Sequence, residues 1–130
     1  MSEESAKKKK ILLVEDDLAL AQVYKSRLEL EGFEVLHSED GEKALTEVID
    51  FMPDLILLDV MMPKINGFDV LDILRNAPQT KDVNVIMLTA LSQPKDMERA
   101  ADLGADEYLI KSQVVIGDVV NHIKNRLGLV

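Results

Sequence analysis

Short apolar runs punctuate the chain at Ile11–Val14, Phe33–Leu36, Leu55–Leu58, Val85–Leu88 and Tyr108–Ile110. Each is too short for a helix and mostly uninterrupted by polar residues, which predicts strands covered on both faces, as in a parallel sheet between helix layers. Amphipathic stretches fill the gaps. Leu18, Val23, Leu28 and Leu30 mark a first helix that Asp17 can cap and Gly32 can end, and Ala44, Leu45, Val48 and Ile49 mark a second that stops before Pro53. The third spans roughly Gly67 to Asn76, with Phe68, Val70, Leu71 and Leu74 apolar. The fourth opens near Ser92, takes Pro94 in its first turn and closes at Gly104. Ile116, Val119, Val120, Ile123 and Leu127 follow the spacing of one buried face of a last helix. Alternating strands and helices imply right-handed crossovers and an open, doubly wound α/β domain.

In such sheets functional groups collect beyond the carboxyl ends of the central strands, where strand order reverses. The residues that follow the apolar runs are Glu15 and Asp16, then Asp59, Thr89 and Lys111. Any one of them could be an ordinary polar strand end. Together, three acids, a hydroxyl and an ammonium form the inventory of a small metal-assisted phosphoryl-transfer site. Carboxylates crowded together repel, and a hard divalent ion relieves them; Mg²⁺ takes oxygen ligands and needs neither histidine nor cysteine. Asp59 is then the nucleophile, with Thr89 and Lys111 placed to hold phosphoryl oxygens.

Composition narrows the options. The 130 residues, 47% of them hydrophobic, suffice for one domain with one core. The absence of cysteine fits a reducing compartment, and a cytoplasmic location is expected. A net charge of −9 argues against direct binding of nucleic acid. The basic run Lys7–Lys10 is short, and no apolar stretch of membrane-spanning length follows it, so residues 1–8 read as a flexible, solvated leader ahead of a domain over 9–130.

The segments Ile11-Leu-Leu-Val-Glu-Asp-Asp17, Asp54-Leu-Ile-Leu-Leu-Asp-Val-Met-Met-Pro63 with Asn66-Gly67, Val85-Ile-Met-Leu-Thr-Ala90 and Gly104-Ala-Asp-Glu-Tyr-Leu-Ile-Lys111 resemble the signature blocks of bacterial two-component response-regulator receiver domains. Their order and spacing agree, and the resemblance covers residues 9–127. It implies a flavodoxin-like (βα)5 fold with strand order 2-1-3-4-5. It also implies that Asp59 is the phosphoacceptor, that Asp16 and Asp59 ligate Mg²⁺ directly (with Mn²⁺ as a substitute), that Glu15 acts through water, and that the backbone carbonyl of Met61 completes the protein ligands. Thr89 and Lys111 would hold the phosphoryl group. Tyr108 would change rotamer as Thr89 moves.

The implied donor is a phosphohistidine on a sensor histidine kinase or a histidine phosphotransfer protein, and the implied output is an altered protein-binding face on the fourth helix, fifth strand and last helix. Lys95, Glu98, Arg99 and Asp102 would be contacts there. The chain would be a stand-alone, chemotaxis-regulator-like receiver, a monomer or weak phosphorylation-dependent dimer, and not a conventional enzyme. Other readings are the receiver portion of a longer DNA-binding transcription regulator, which would need residues beyond these, a small-molecule phosphohydrolase, and a phosphorylation-independent pseudo-receiver. The large apolar Met61 and Leu91 flank the expected path of the hydrolytic water and should lengthen the lifetime of an acyl phosphate.

One departure from the resemblance concerns Ser112, which stands where receivers usually carry a cis proline; a non-proline cis bond costs about 2.5–4 kcal/mol. The position of Asp17 favours a helix cap over a third metal ligand. His37 and His122 have no partner at metal-ligand spacing, and no zinc or catalytic role is expected of either.

Overall fold

The computed structural model describes residues 7–129. Most of the expected leader, residues 1–6, lies outside the described residues. Strands β1 (Lys10–Val14), β2 (Glu34–Ser38), β3 (Leu55–Leu58), β4 (Asn84–Thr89) and β5 (Glu107–Ile110) alternate with helices α1 (Leu18–Leu30), α2 (Gly41–Phe51), α3 (Gly67–Arg75), α4 (Pro94–Asp102) and α5 (Ile116–Arg126). The sheet is parallel throughout, in the order β2-β1-β3-β4-β5. The doubly wound domain inferred from the alternation and the strand order implied by the resemblance are both observed.

Side-chain alternation along the strands divides the core in two. On one face Ile11, Leu13, Leu55, Leu57, Ile86 and Leu88 pack with Ala21, Tyr24 and Leu28 of α1 and Val119, Val120 and Ile123 of α5. On the other face Leu12, Val14, Ile56, Leu58, Val85 and Met87 meet α2, α3 and α4 through Ala44, Val48, Phe68, Leu71, Leu74 and Ala100. The expected stripes of α3 and α5 are observed. That of α1 is not: Leu18, Val23 and Leu30 are 61%, 56% and 85% exposed, and Ala21 and Tyr24 take the inward positions beside Leu28. In α2, Ile49 likewise turns outward while Ala44 and Val48 are buried.

Local chemistry sets the helix starts. The carboxylate of Asp17 accepts from the Leu20 amide at 3.1 Å, that of Asp40 from the Lys43 amide at 2.8 Å, and the Asn66 side chain from the Asp69 amide at 3.0 Å. Pro94 opens α4, where its missing N–H costs nothing. Gly104 closes the turn after α4 with φ +100°, a left-handed conformation that glycine adopts without strain. Among the described residues the peptide bonds are trans, that between Lys111 and Ser112 included, and a short 3₁₀ turn over Lys111–Gln113 leads the chain away from β5. No helix among the described residues is long and apolar enough to cross a membrane.

Candidate functional site

Sheet register brings the strand-end residues together. Val14 pairs with Leu58, and the Asp59 amide donates to the Val14 carbonyl at 3.2 Å, so Glu15 and Asp59 leave the sheet side by side. Thr89 pairs with Ile110, which puts Lys111 one residue beyond on the neighbouring strand. β1 and β3 are adjacent, while the chain runs outward from β1 to β2 and back across to β3. The cluster thus sits where strand order reverses.

Carboxylate oxygens of Glu15, Asp16 and Asp59 lie within 4.8 Å of one another. Glu15 and Asp59 are each 4% exposed, and Asp16 faces solvent. Lys111 reaches between the buried pair: its Nζ donates to Glu15 Oε1 at 2.8 Å and to Asp59 Oδ2 at 2.9 Å. The Asp17 amide donates to Glu15 Oε2 at 3.0 Å, and the Met61 amide to Asp59 Oδ1 at 3.2 Å. Burial pushes the Glu15 carboxyl above its ordinary range, against the pull of the Lys111 and Asp17 hydrogen bonds. For Lys111 burial acts downward, and the hydrogen bonds to Glu15 and Asp59 outweigh it, holding the ammonium above its ordinary value. The arrangement favours a charged Lys111 shared by two acids.

Three carboxylates against one ammonium leave the cluster negative, and every donor is an oxygen. That set fits Mg²⁺ or Mn²⁺ and does not suit soft, thiolate-seeking metals. Asp17, whose carboxylate caps α1, is placed as a structural residue.

Thr89 is fully buried, and its Oγ1 accepts from the Leu91 amide at 3.3 Å. Tyr108 packs against the core face under α4, and its hydroxyl donates to the Leu91 carbonyl at 2.9 Å. Burial, and then the charges of Asp96 and Asp59, raise the Tyr108 phenol. One short loop thus carries a bond to Thr89 and a bond to Tyr108.

Beside the cluster an open groove is lined by Asp16, Met61, Phe68, Leu91, Asp96 and Arg99 among others. The Arg99 guanidinium lies 4.4 Å from the centroid of the Phe68 ring. A second concavity, of about 400 Å³, is at the opposite end of the sheet near Met52, Asp54 and Pro78, away from all the strand-end residues.

Sequence reasoning missed other contacts. His37 Nε2 lies 2.7 Å from the Glu15 carbonyl oxygen, and Lys64 Nζ lies 3.6 Å from both Asp40 and Glu42. His122 pairs with Glu107 at 2.6 Å, far from the cluster. None has a linear signature, since each joins residues on separate elements.

A doubly wound sheet thus carries an acidic cluster and a lysine at its switch point. The chain belongs to the response regulator receiver domain family, whose model matches residues 11–123. It is 52% identical over 102 residues to the transcriptional regulatory protein CpxR of Escherichia coli strain K12, an alignment covering 78% of this chain and 42% of that protein. It is 42% identical over 102 residues, with the same shares, to the DNA-binding dual master transcriptional regulator RpaA of Synechocystis sp.. The chain thus spans less than half the length of these relatives. A CheY-like response regulator receiver domain protein from Methanospirillum hungatei superposes with a TM-score of 0.87 at 28% identity, covering 94% of this chain and 95% of that one.

Proposed function

We propose that the chain is a phosphorylation-operated switch in which Asp59 accepts a phosphoryl group from a phosphohistidine of a sensor kinase or phosphotransfer protein. The observation that carries this reading is Lys111 bridging Glu15 and Asp59 within a three-carboxylate cluster. An Asp59 oxygen attacks phosphorus, the P–N bond breaks, and its electron pair leaves on the imidazole nitrogen, giving an acyl phosphate. Lys111 transfers its hydrogen bond from the acids to a phosphoryl oxygen, and the Thr89 hydroxyl donates to another. Glu15, Asp16, Asp59 and the Met61 carbonyl would hold Mg²⁺, with Mn²⁺ as a substitute. Bound there, the ion supplies positive charge to the transferring oxygens.

The only turnover is the chain's own modification and its slow hydrolysis, so this is not a conventional enzyme. Output follows from the loop shared by Thr89 and Tyr108: drawing the Thr89 hydroxyl toward a phosphoryl group pulls on the segment that holds the Tyr108 ring, biasing the α4, β5 and α5 surface. Lys95, Glu98, Arg99 and Asp102 are exposed on α4 and available to a partner. Arg99 also stacks on Phe68, toward α3. The oligomeric form in this reading is a monomer or weak phosphorylation-dependent dimer, and the location is cytoplasmic.

The CheY-like name of that neighbour is what supports the reading of a stand-alone receiver. A second reading, the receiver of a longer DNA-binding regulator, is supported by the names of CpxR and RpaA and by the fraction of each that is matched. DNA retardation by the full-length product, with and without phosphodonor, separates the two.

Incubation with acetyl phosphate or phosphoramidate and Mg²⁺ tests the core of the proposal. Intact-mass spectrometry is expected to show one added phosphoryl group that is absent with EDTA and absent in Asp59→Asn. Full labelling of Asp59→Asn would move the acceptor elsewhere.

A further inference from the structure

β1 ends at Val14 and α1 begins at Leu18, so the acidic pair lies on irregular backbone between them. Glu15 is nonetheless held at every polar atom. Its amide donates to the Ser38 carbonyl at 3.1 Å, its carboxylate oxygens accept from Lys111 and the Asp17 amide, and its carbonyl oxygen lies 2.7 Å from His37 Nε2. A carbonyl can only accept, so His37 must carry its proton on Nε2 and donate it. Asp16 is different: it is exposed, and its carboxylate accepts no hydrogen bond among the described residues. Its direction therefore depends on the plane of the Glu15–Asp16 peptide. The bonds of the Glu15 and Asp17 amides hold the backbone on either side, and the hydrogen bond at the carbonyl of that peptide itself comes from His37.

We propose that His37 is a positioning residue for the acidic pair, acting through the Glu15 carbonyl to orient Asp16 toward the divalent-ion site. The inference rests on the function proposed above. His37 can do this because it stands on β2, an edge strand, in register with Leu13 and two residues beyond the buried Val35, so it is half-buried on the same sheet face and one residue short of the last β1–β2 pair, Val14 with Ser38. Its role parallels that of outer-sphere hydrogen bonds to metal ligands, whose loss typically costs about 10–100-fold in affinity. Here the bond goes to the backbone of a ligand rather than to its carboxylate, and the low end of that range is expected. The ring nitrogens of His37 are not among the grouped ligand atoms of Glu15, Asp16 and Asp59, so the ion should feel it only through geometry.

The test is Mn²⁺ binding to the whole chain, followed by electron paramagnetic resonance of the free ion at one pH for all variants. His37→Phe keeps a planar ring without a donor, and His37→Gln keeps an N–H donor without the ring. Affinity is expected to fall about tenfold in His37→Phe and to stay within about twofold of wild type in His37→Gln. The Asp16 amide resonance of the metal-free protein should move in the Phe variant and remain in place in the Gln variant. Equal Mn²⁺ affinity in wild type and His37→Phe, or equal losses in both variants, would overturn the positioning role. Asp16→Ala serves as the control for the underlying reading: if it binds Mn²⁺ as wild type does, the proposed metal site falls and the role of His37 with it.

Discussion

The backbone of Gly67 lies against Asp59 so closely that a β-carbon at position 67 would overlap the Asp59 carbonyl oxygen and crowd the Val60 Cα. The Gly67 amide donates to the Val60 carbonyl at 2.9 Å, locking the first turn of α3 onto the end of the acceptor strand. Because both obstacles are backbone, no rotamer change relieves them. Gly67→Ala is expected to destabilise the fold by about 1–3 kcal/mol, the usual range for overpacking, and to slow labelling of Asp59 by phosphoramidate. Thermal denaturation and intact-mass time courses check both.

Removing the lysine exposes the repulsion it hides. In Lys111→Met, Glu15 and Asp59 remain buried with no cation between them. A loss of about 2 kcal/mol is expected, below the ~3–5 of a fully buried pair because the Lys111 side chain retains 22% of its exposure. Millimolar Mg²⁺ should restore more of the melting temperature in Lys111→Met than it adds to wild type, and it should add nothing to Lys111→Met carrying Asp16→Ala. Calorimetry with and without EDTA gives the comparison.

Met61 is 56% exposed and shares with Leu91 the groove beside Asp16. Neither offers a group that could orient an attacking water. Met61→Asn combined with Leu91→Ser should shorten the phosphoryl half-life by about tenfold, a small part of the 10²–10⁴ that positioned proton transfer can contribute. Decay of the added mass after removal of the donor measures it, and a wild type that decays faster refutes shielding.

Glu31, at the end of α1, accepts from Lys124 of α5 at 2.7 Å and from Arg27 at 2.9 Å. The hydrogen bond from Lys124, then that from Arg27, holds its carboxyl below the usual range. A lowered folded value means the bridge contributes stability above the unfolded carboxylate range and loses it as pH falls through the folded value. Glu31→Gln should therefore melt below wild type near neutrality, with the gap closing as pH drops below about 4.3. A gap independent of pH would assign the effect to packing.

Much of this was legible in the chain itself. Uninterrupted runs such as Leu55–Leu58 read as strands covered on both faces, and their alternation with helices leaves few topologies, so the meeting of Glu15, Asp16, Asp59 and Lys111 at one sheet edge was legible from the strand ends, with Thr89 ending the neighbouring strand. The buried face of α1 did not follow. Apolar residues lie all around that helix, and Leu18, Val23 and Leu30 are as hydrophobic as what replaces them; only the sheet and α5 select Ala21, Tyr24 and Leu28. The bond from His37 to the Glu15 carbonyl was equally hidden, because a side chain on one strand reaching the backbone beyond another leaves no periodicity to read. Residue types and their spacing determine which groups reach the site. The packing of strands and helices in three dimensions decides which of their neighbours hold those groups in place.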